Sequence, residues 1–85
     1  MQPIIIVSRC IKIKVFSQRE SEYTFHFKGI YQGKVIKEVR LIDRSLFAMK
    51  EKEEYLIYFL FTKVDQHILY GEIVKIKNLD EAYLI

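Results

Sequence analysis

Apolar and polar residues alternate with a period of two along much of this chain. In "IIIVSRCIKIKVF" the alternation is clean from Ile11, placing Ile11, Ile13 and Val15 on one face and Lys12 and Lys14 on the other. Ile5 and Val7 share the parity of the apolar set. The pattern predicts one long strand from Ile4 to Phe16 with odd-numbered residues inward, bent near Ser8 to Cys10 where the alternation falters. After the polar turn "SQRES", Tyr23, Phe25 and Phe27 fall on one face and Thr24, His26 and Lys28 on the other. A third strand follows a turn containing Gly33 and ends at Ile42.

Residues directly opposite in an antiparallel pair share a face, so the faces constrain that turn. A two-residue Gln32-Gly33 turn sets Phe25 against Arg40 and Phe27 against Glu38, which mixes core with solvent. A three-residue loop from Tyr31 to Gly33 instead pairs Tyr23 with Leu41, Phe25 with Val39 and Gly29 with Val35. The three-residue loop is therefore expected, with Gly33 in the left-handed region where glycine is least strained.

Beyond Ile42 the period changes. "DRSLFAMKEKEE" contains good helix formers, with Asp43 or Ser45 as N-cap and Leu46 and Met49 on a common face, and predicts a short helix. Glu53 and Glu54 oppose its dipole at the far end. The run from Tyr55 to Phe61 is too short to cross a bilayer and is rich in aromatic residues, as strands are. It reads as a strand, turned by "TKVDQH" into a second strand, "ILYGEIVKIK". The tail "NLDEAYLI" adds either one helical turn capped by Asn78 or an extended segment.

The order is three strands, a short helix and two strands: an all-β chain with one short helix. In architecture it resembles the OB-fold, a small five-stranded Greek-key barrel with a helix between strands three and four. Length supports a single domain over residues 1–85. With 51% hydrophobic and 29% charged residues the balance is that of a globular domain and excludes a disordered charged tail.

The formal charge of +3 makes anionic partners accessible without demanding them. OB-folds often bind oligonucleotides across strands two and three and the loops beside them. The matching residues here are Lys12, Lys14, His26, Lys28 and Arg40 on the outer face with Thr24, Arg19 in the first loop, and Lys63 and His67 bordering the last. They are the expected contacts for single-stranded nucleic acid. Exposed aromatic platforms for bases are scarce, with Phe16 and Tyr31 the candidates.

A second expectation comes from the run Tyr55 to Phe61, which is apolar on both faces. Only one face fits the core. Tyr58 and Leu60 therefore mark a surface to be covered by the helix, the tail or another chain, which points to a protein-interaction or assembly role as homo-oligomer or subunit.

No enzyme activity, cofactor or metal is expected. Cys10, His26 and His67 lack zinc spacing, and a lone strand cysteine is an inert core residue by default. The glycines are scattered, so no phosphate loop exists. A single cysteine fits a reducing compartment. "MQPIIIVSRC" carries no basic, long apolar leader, and a cytoplasmic domain with no membrane contact is expected.

Overall fold

The period-two segments form five strands that make up most of the protein. A computed structural model describes residues 3–45 and 47–82, with side chains to residue 80. The elements are β1 (Ile4–Ser17), β2 (Glu20–Tyr31), β3 (Lys34–Asp43), β4 (Glu54–Asp65), β5 (Ile68–Asn78) and α1 (Leu79–Ala82). All five strands belong to one sheet, whose hydrogen bonding closes into a ring in the order β1-β2-β3-β5-β4 and back to β1. The β3–β5 pairing is parallel and the others are antiparallel.

The length of β1 lets it serve two neighbours. Ile4 to Arg9 pair with Phe59 to Glu54 of β4, whereas the second half, from Cys10, pairs with β2. At the changeover Cys10 faces Phe25 and Lys12 faces Thr24, leaving Ile11 unopposed in a bulge. An extra residue shifts the alternation by one. Before the bulge Ile6, Ser8 and Cys10 point inward, and after it Ile13 does. The expected inward placing of Ile5 and Val7 is thereby reversed: each is 56% exposed. Val15, at the far end of β1, is exposed as well. Where the β1–β2 ladder stops, Ser8 Oγ donates to the His26 carbonyl at 2.6 Å, so that this backbone oxygen keeps a partner.

The β2–β3 turn corrects a second expectation. It is a two-residue turn, Gln32-Gly33, with both residues at positive φ (51° and 76°), the type I′ geometry that suits hairpin twist. Tyr23 still faces Leu41 and Phe25 faces Val39, because a register shift between His26 and Gly29 sets Phe27 and Lys28 against Lys37. Gly29 consequently pairs with Ile36 rather than Val35. The bulge reconciles the short turn with matched faces. The β4–β5 hairpin uses another two-residue turn, Gln66-His67, also at positive φ, so β4 runs on through most of "TKVDQH".

Inside the ring, Phe25, Ile36, Val39, Leu41, Tyr55, Ile57, Phe59, Leu69 and Ile73 are buried with Ile6, Cys10 and Tyr23. Gly71 stands inward where β5 passes between β3 and β4. A Cβ there would lie 2.6 Å from the Leu60 carbonyl oxygen, so only glycine allows this approach.

The helix expected between β3 and β4 is not formed by the described residues of 44–53, which are bends, irregular backbone and a turn. Its expected face residue Leu46 lies outside the described residues. Three local features explain the difference. The buried Asp43 carboxylate accepts from the backbone N–H of Ser45 (2.8 Å) and Phe47 (2.9 Å), which folds the chain into a tight turn. Ala48 and Lys52 have positive φ, incompatible with a right-handed helix. Lys52 N–H and Cys10 N–H instead make strand-like bonds, to the carbonyls of Cys10 and Glu53. The segment nonetheless contributes Met49 to the core, with Phe47 packed beside it.

The helix α1 follows β5 instead, as one turn after Asn78. It meets the start of β4, where Glu54 N–H donates to Asp80 at 3.1 Å. No helix among the described residues is long and apolar enough to cross a membrane.

Candidate nucleic-acid interface

Strand pairing assembles an outer row that crosses the whole sheet. Lys12 faces Thr24, Thr24 faces Arg40, Arg40 faces Tyr70, and Tyr70 faces Lys63. Three cations and one aromatic ring thus come from four different strands, with Thr24 of β2 between Lys12 and Arg40. The Lys63 ammonium lies 5.0 Å from the centre of the Tyr70 ring, within cation–π range. Lys12, Lys14, Glu22 and Arg40 surround Thr24, which is only 4% exposed although it is on the outer face. The long side chains cover it with their methylene stems and keep their charged ends in water.

The neighbouring row begins with Lys14, followed by Glu22, Ile42 and Glu72. Lys14 reaches over the exposed Phe16 ring at 5.3 Å. On the other side of the central row, His26 faces Glu38. Lys28 is exposed at the β2 bulge.

Carboxylates break up the positive face. Arg40 binds Glu38 at 3.3 Å, and Arg44 bridges Glu20 at 3.6 Å and Glu72 at 3.0 Å. Partial desolvation acts to lower the Arg40 pKa, but the charge and hydrogen bond of Glu38 outweigh it and hold the guanidinium above its ordinary value. Arg40 thus stays charged while its donors are partly engaged. On this face of the sheet, Lys12, Lys14, Lys28 and Lys63 have no such carboxylate among the described residues.

The two loop candidates lie apart. Arg19 is in the β1–β2 turn, near the Ser21–Asp43 end of β3, and its N–H donates to Ser17 Oγ at 3.2 Å. His67 is in the β4–β5 turn at the opposite end, where its Nδ1 lies 3.0 Å from the Val35 carbonyl and its own carbonyl accepts from Lys37 N–H at 2.8 Å. The sheet brings together Lys12, Arg40 and Lys63 with Lys14 beside them, and leaves Arg19 and His67 at its two ends.

Tyr70 is the functional candidate that pattern reading misses. Its place in the row depends on the parallel β3–β5 pairing, for which two distant segments carry no local signal. Glu22 and Glu38 share the parity of Thr24 and Arg40, a signal from which their interruption of the basic face could have been read.

Tyr58 and Leu60 are half-buried on the outer side of β4, as the two-faced run suggested. Cys10 is fully buried, its Sγ lies 3.7 Å from the Lys12 carbonyl as a hydrogen-bond donor, and burial pushes its thiol pKa up to about 11. That is a poor nucleophile at neutral pH. Among the described residues no three His, Cys, Asp or Glu side chains are placed to hold a metal ion.

No protein-family model, curated protein or solved structure matches the chain.

Proposed function

We propose that the chain is an OB-like Greek-key barrel that binds single-stranded nucleic acid on its outer face and performs no chemistry on it. The architectural part is supported by the strand order, the parallel β3–β5 pairing and a long first strand shared between two neighbours. A non-helical segment that carries Met49 into the core connects β3 to β4, where the typical fold has a helix.

The observation that carries the functional part is the row Lys12, Thr24, Arg40, Tyr70 and Lys63. Cations spaced along a track neutralise successive phosphates, and an aromatic ring among them offers a sequence-tolerant stacking surface. The face also carries Glu22, Glu38 and Glu72, so the binding is weak and salt-sensitive.

Anisotropy of a labelled mixed-sequence single-stranded oligonucleotide, titrated at several salt concentrations, tests this reading. Three engaged phosphates give a log–log salt slope of about −2, at roughly 0.7 per phosphate. Replacing Lys12, Arg40 and Lys63 by Gln flattens that slope. Tyr70→Leu weakens binding with little change in slope, because stacking releases few ions. Absence of binding at low salt, or full affinity in the triple variant, overturns the proposal.

A further inference from the structure

The reversed parity of β1 has built a second surface. Ile5 stands opposite Tyr58 and Val7 opposite Leu56, all four on the outside of the ring. On the far side of β4, Tyr58 faces Lys75 and Leu56 faces Lys77. Ile5 and Val7 are 56% exposed and Val74, in the neighbouring bulge, is 50% exposed, whereas Leu56, Tyr58 and Leu60 are recessed between them. Lys75 leans over the Tyr58 ring at 5.8 Å. Leu56, Tyr58, Lys75, Ile76 and Lys77 line a shallow groove. Scattered exposed apolar residues need no explanation, but a contiguous strip of paired ones bordered by charge marks an interaction site.

We propose that the outer face of β1, β4 and β5 docks a polypeptide segment of another protein that carries apolar side chains flanked by Asp or Glu. The apolar half of the partner's chemistry follows from the strip. The acidic half follows from its border, since neither Lys75 nor Lys77 has an ion-pair partner among the described residues.

A second copy packed face to face on this strip supplies those carboxylates poorly, because the acidic residues beside the strip are already placed against arginines. Glu72 is already held by Arg44 and Asp80 by Arg9, while Glu54 stands directly across from Arg9. An anionic bilayer fits the shape less well. The apolar side chains that stand out, Ile5, Val7 and Val74, flank a recess floored by Leu56 and Tyr58 instead of forming one continuous protruding apolar face. A groove of this form receives a partner's projecting side chain, with acidic neighbours reaching the rim.

The test uses two short synthetic peptides that share one apolar core, one flanked by glutamates and the other by lysines, each titrated against the intact protein by anisotropy. The glutamate-flanked peptide is expected to bind, and the lysine-flanked one to bind at least about tenfold more weakly. Lys75→Glu with Lys77→Glu reverses that preference, and Tyr58→Ser with Val7→Ser removes binding of both while circular dichroism reports an intact sheet. Variants at Lys12 and Lys63 leave peptide binding unchanged, which separates this surface from the nucleic-acid row. Equal binding of the two peptides overturns the proposal. So does a concentration-dependent dimer abolished by Tyr58→Ser, or association with phosphatidylserine vesicles in the absence of peptide binding.

Discussion

At the scale of single residues, two positions carry consequences that differ in kind. Gly33 has φ 76° and open space around its Cα, so a side chain there meets no steric wall, only backbone strain. Gly33→Val is expected to lower stability by about 1 kcal/mol or more, read as a lower urea midpoint with unchanged slope. Gly33→Asn, which tolerates the left-handed region, costs less. Cys10 illustrates burial rather than strain. Because its folded pKa of about 11 lies above the ordinary thiol value of 9.0, the folded protein keeps a proton that the unfolded chain has lost between those values. Stability from this source is fully present below pH 9 and declines as pH rises from 9 to 11. Tyr55 acts in the same direction at higher pH: burial pushes its pKa to about 12, with the hydrogen bond and charge of Glu53 adding to the rise. An alkaline shift in the thermal midpoint, reduced in Cys10→Ala, checks the first part. Slow reaction of the native thiol with a mild disulfide reagent at neutral pH checks the second expectation for this residue, that it is inert.

At the scale of elements, Asp43 ends β3 and shapes the connection to β4. Its carboxylate holds the N–H groups of Ser45 and Phe47, and the segment that it folds carries Met49 into the core. Asp43→Ala leaves two backbone donors to find other partners and should destabilise the protein by about 1–3 kcal/mol. Hydrogen exchange offers the local check: the amides of Ser45 and Phe47 lose protection in the variant, while Val39 and Leu41 retain theirs under conditions that favour the fold. The same segment shows what the sequence conveyed and what it did not. Strand periodicity was legible in β2 because Tyr23, Phe25 and Phe27 alternate without interruption, and in β4 because both of its faces are apolar over a strand's length. The inward face of β1 was misread because a bulge at Ile11 leaves no mark in a list of apolar residues: Ile4 to Val7 are apolar at both parities. Helix formers in "SLFAMKEKEE" were overruled by tertiary demands, namely the Asp43 turn and the pairing of residues 52 and 53 with Cys10. Of the candidate site, Lys12, Lys14 and Arg40 were legible from parity and Lys63 from its place beside the last loop, while Tyr70 awaited the parallel β3–β5 register. The apolar strip was half visible, in Tyr58 and Leu60, and its other half in Ile5 and Val7 was hidden by the same bulge.

For the molecule as a whole, ring closure joins residues far apart in the chain. Ile4 pairs with Phe59, and Glu38 of β3 pairs in parallel with Ile68 of β5. Such pairings must overcome loop entropy before they stabilise anything, so folding is expected on the millisecond-to-second scale of non-local β proteins. Stopped-flow refolding in dilute denaturant measures this, and a microsecond relaxation would contradict it. The division of β1 between two neighbours also bears on solubility. Its first half, "IIIV", and the β4 run "YLIYFLF" are uncharged, β-prone and free of proline, the composition that stacks into intermolecular sheets when exposed. In the native ring these two segments are bonded to each other, Ile4 to Val7 against Phe59 to Leu56. Each masks the other's most adhesive backbone. An opening that frees the first half of β1 bares both together, so the aggregation hazard of this chain is concentrated in one strand pair and rises with the rate at which that pair parts.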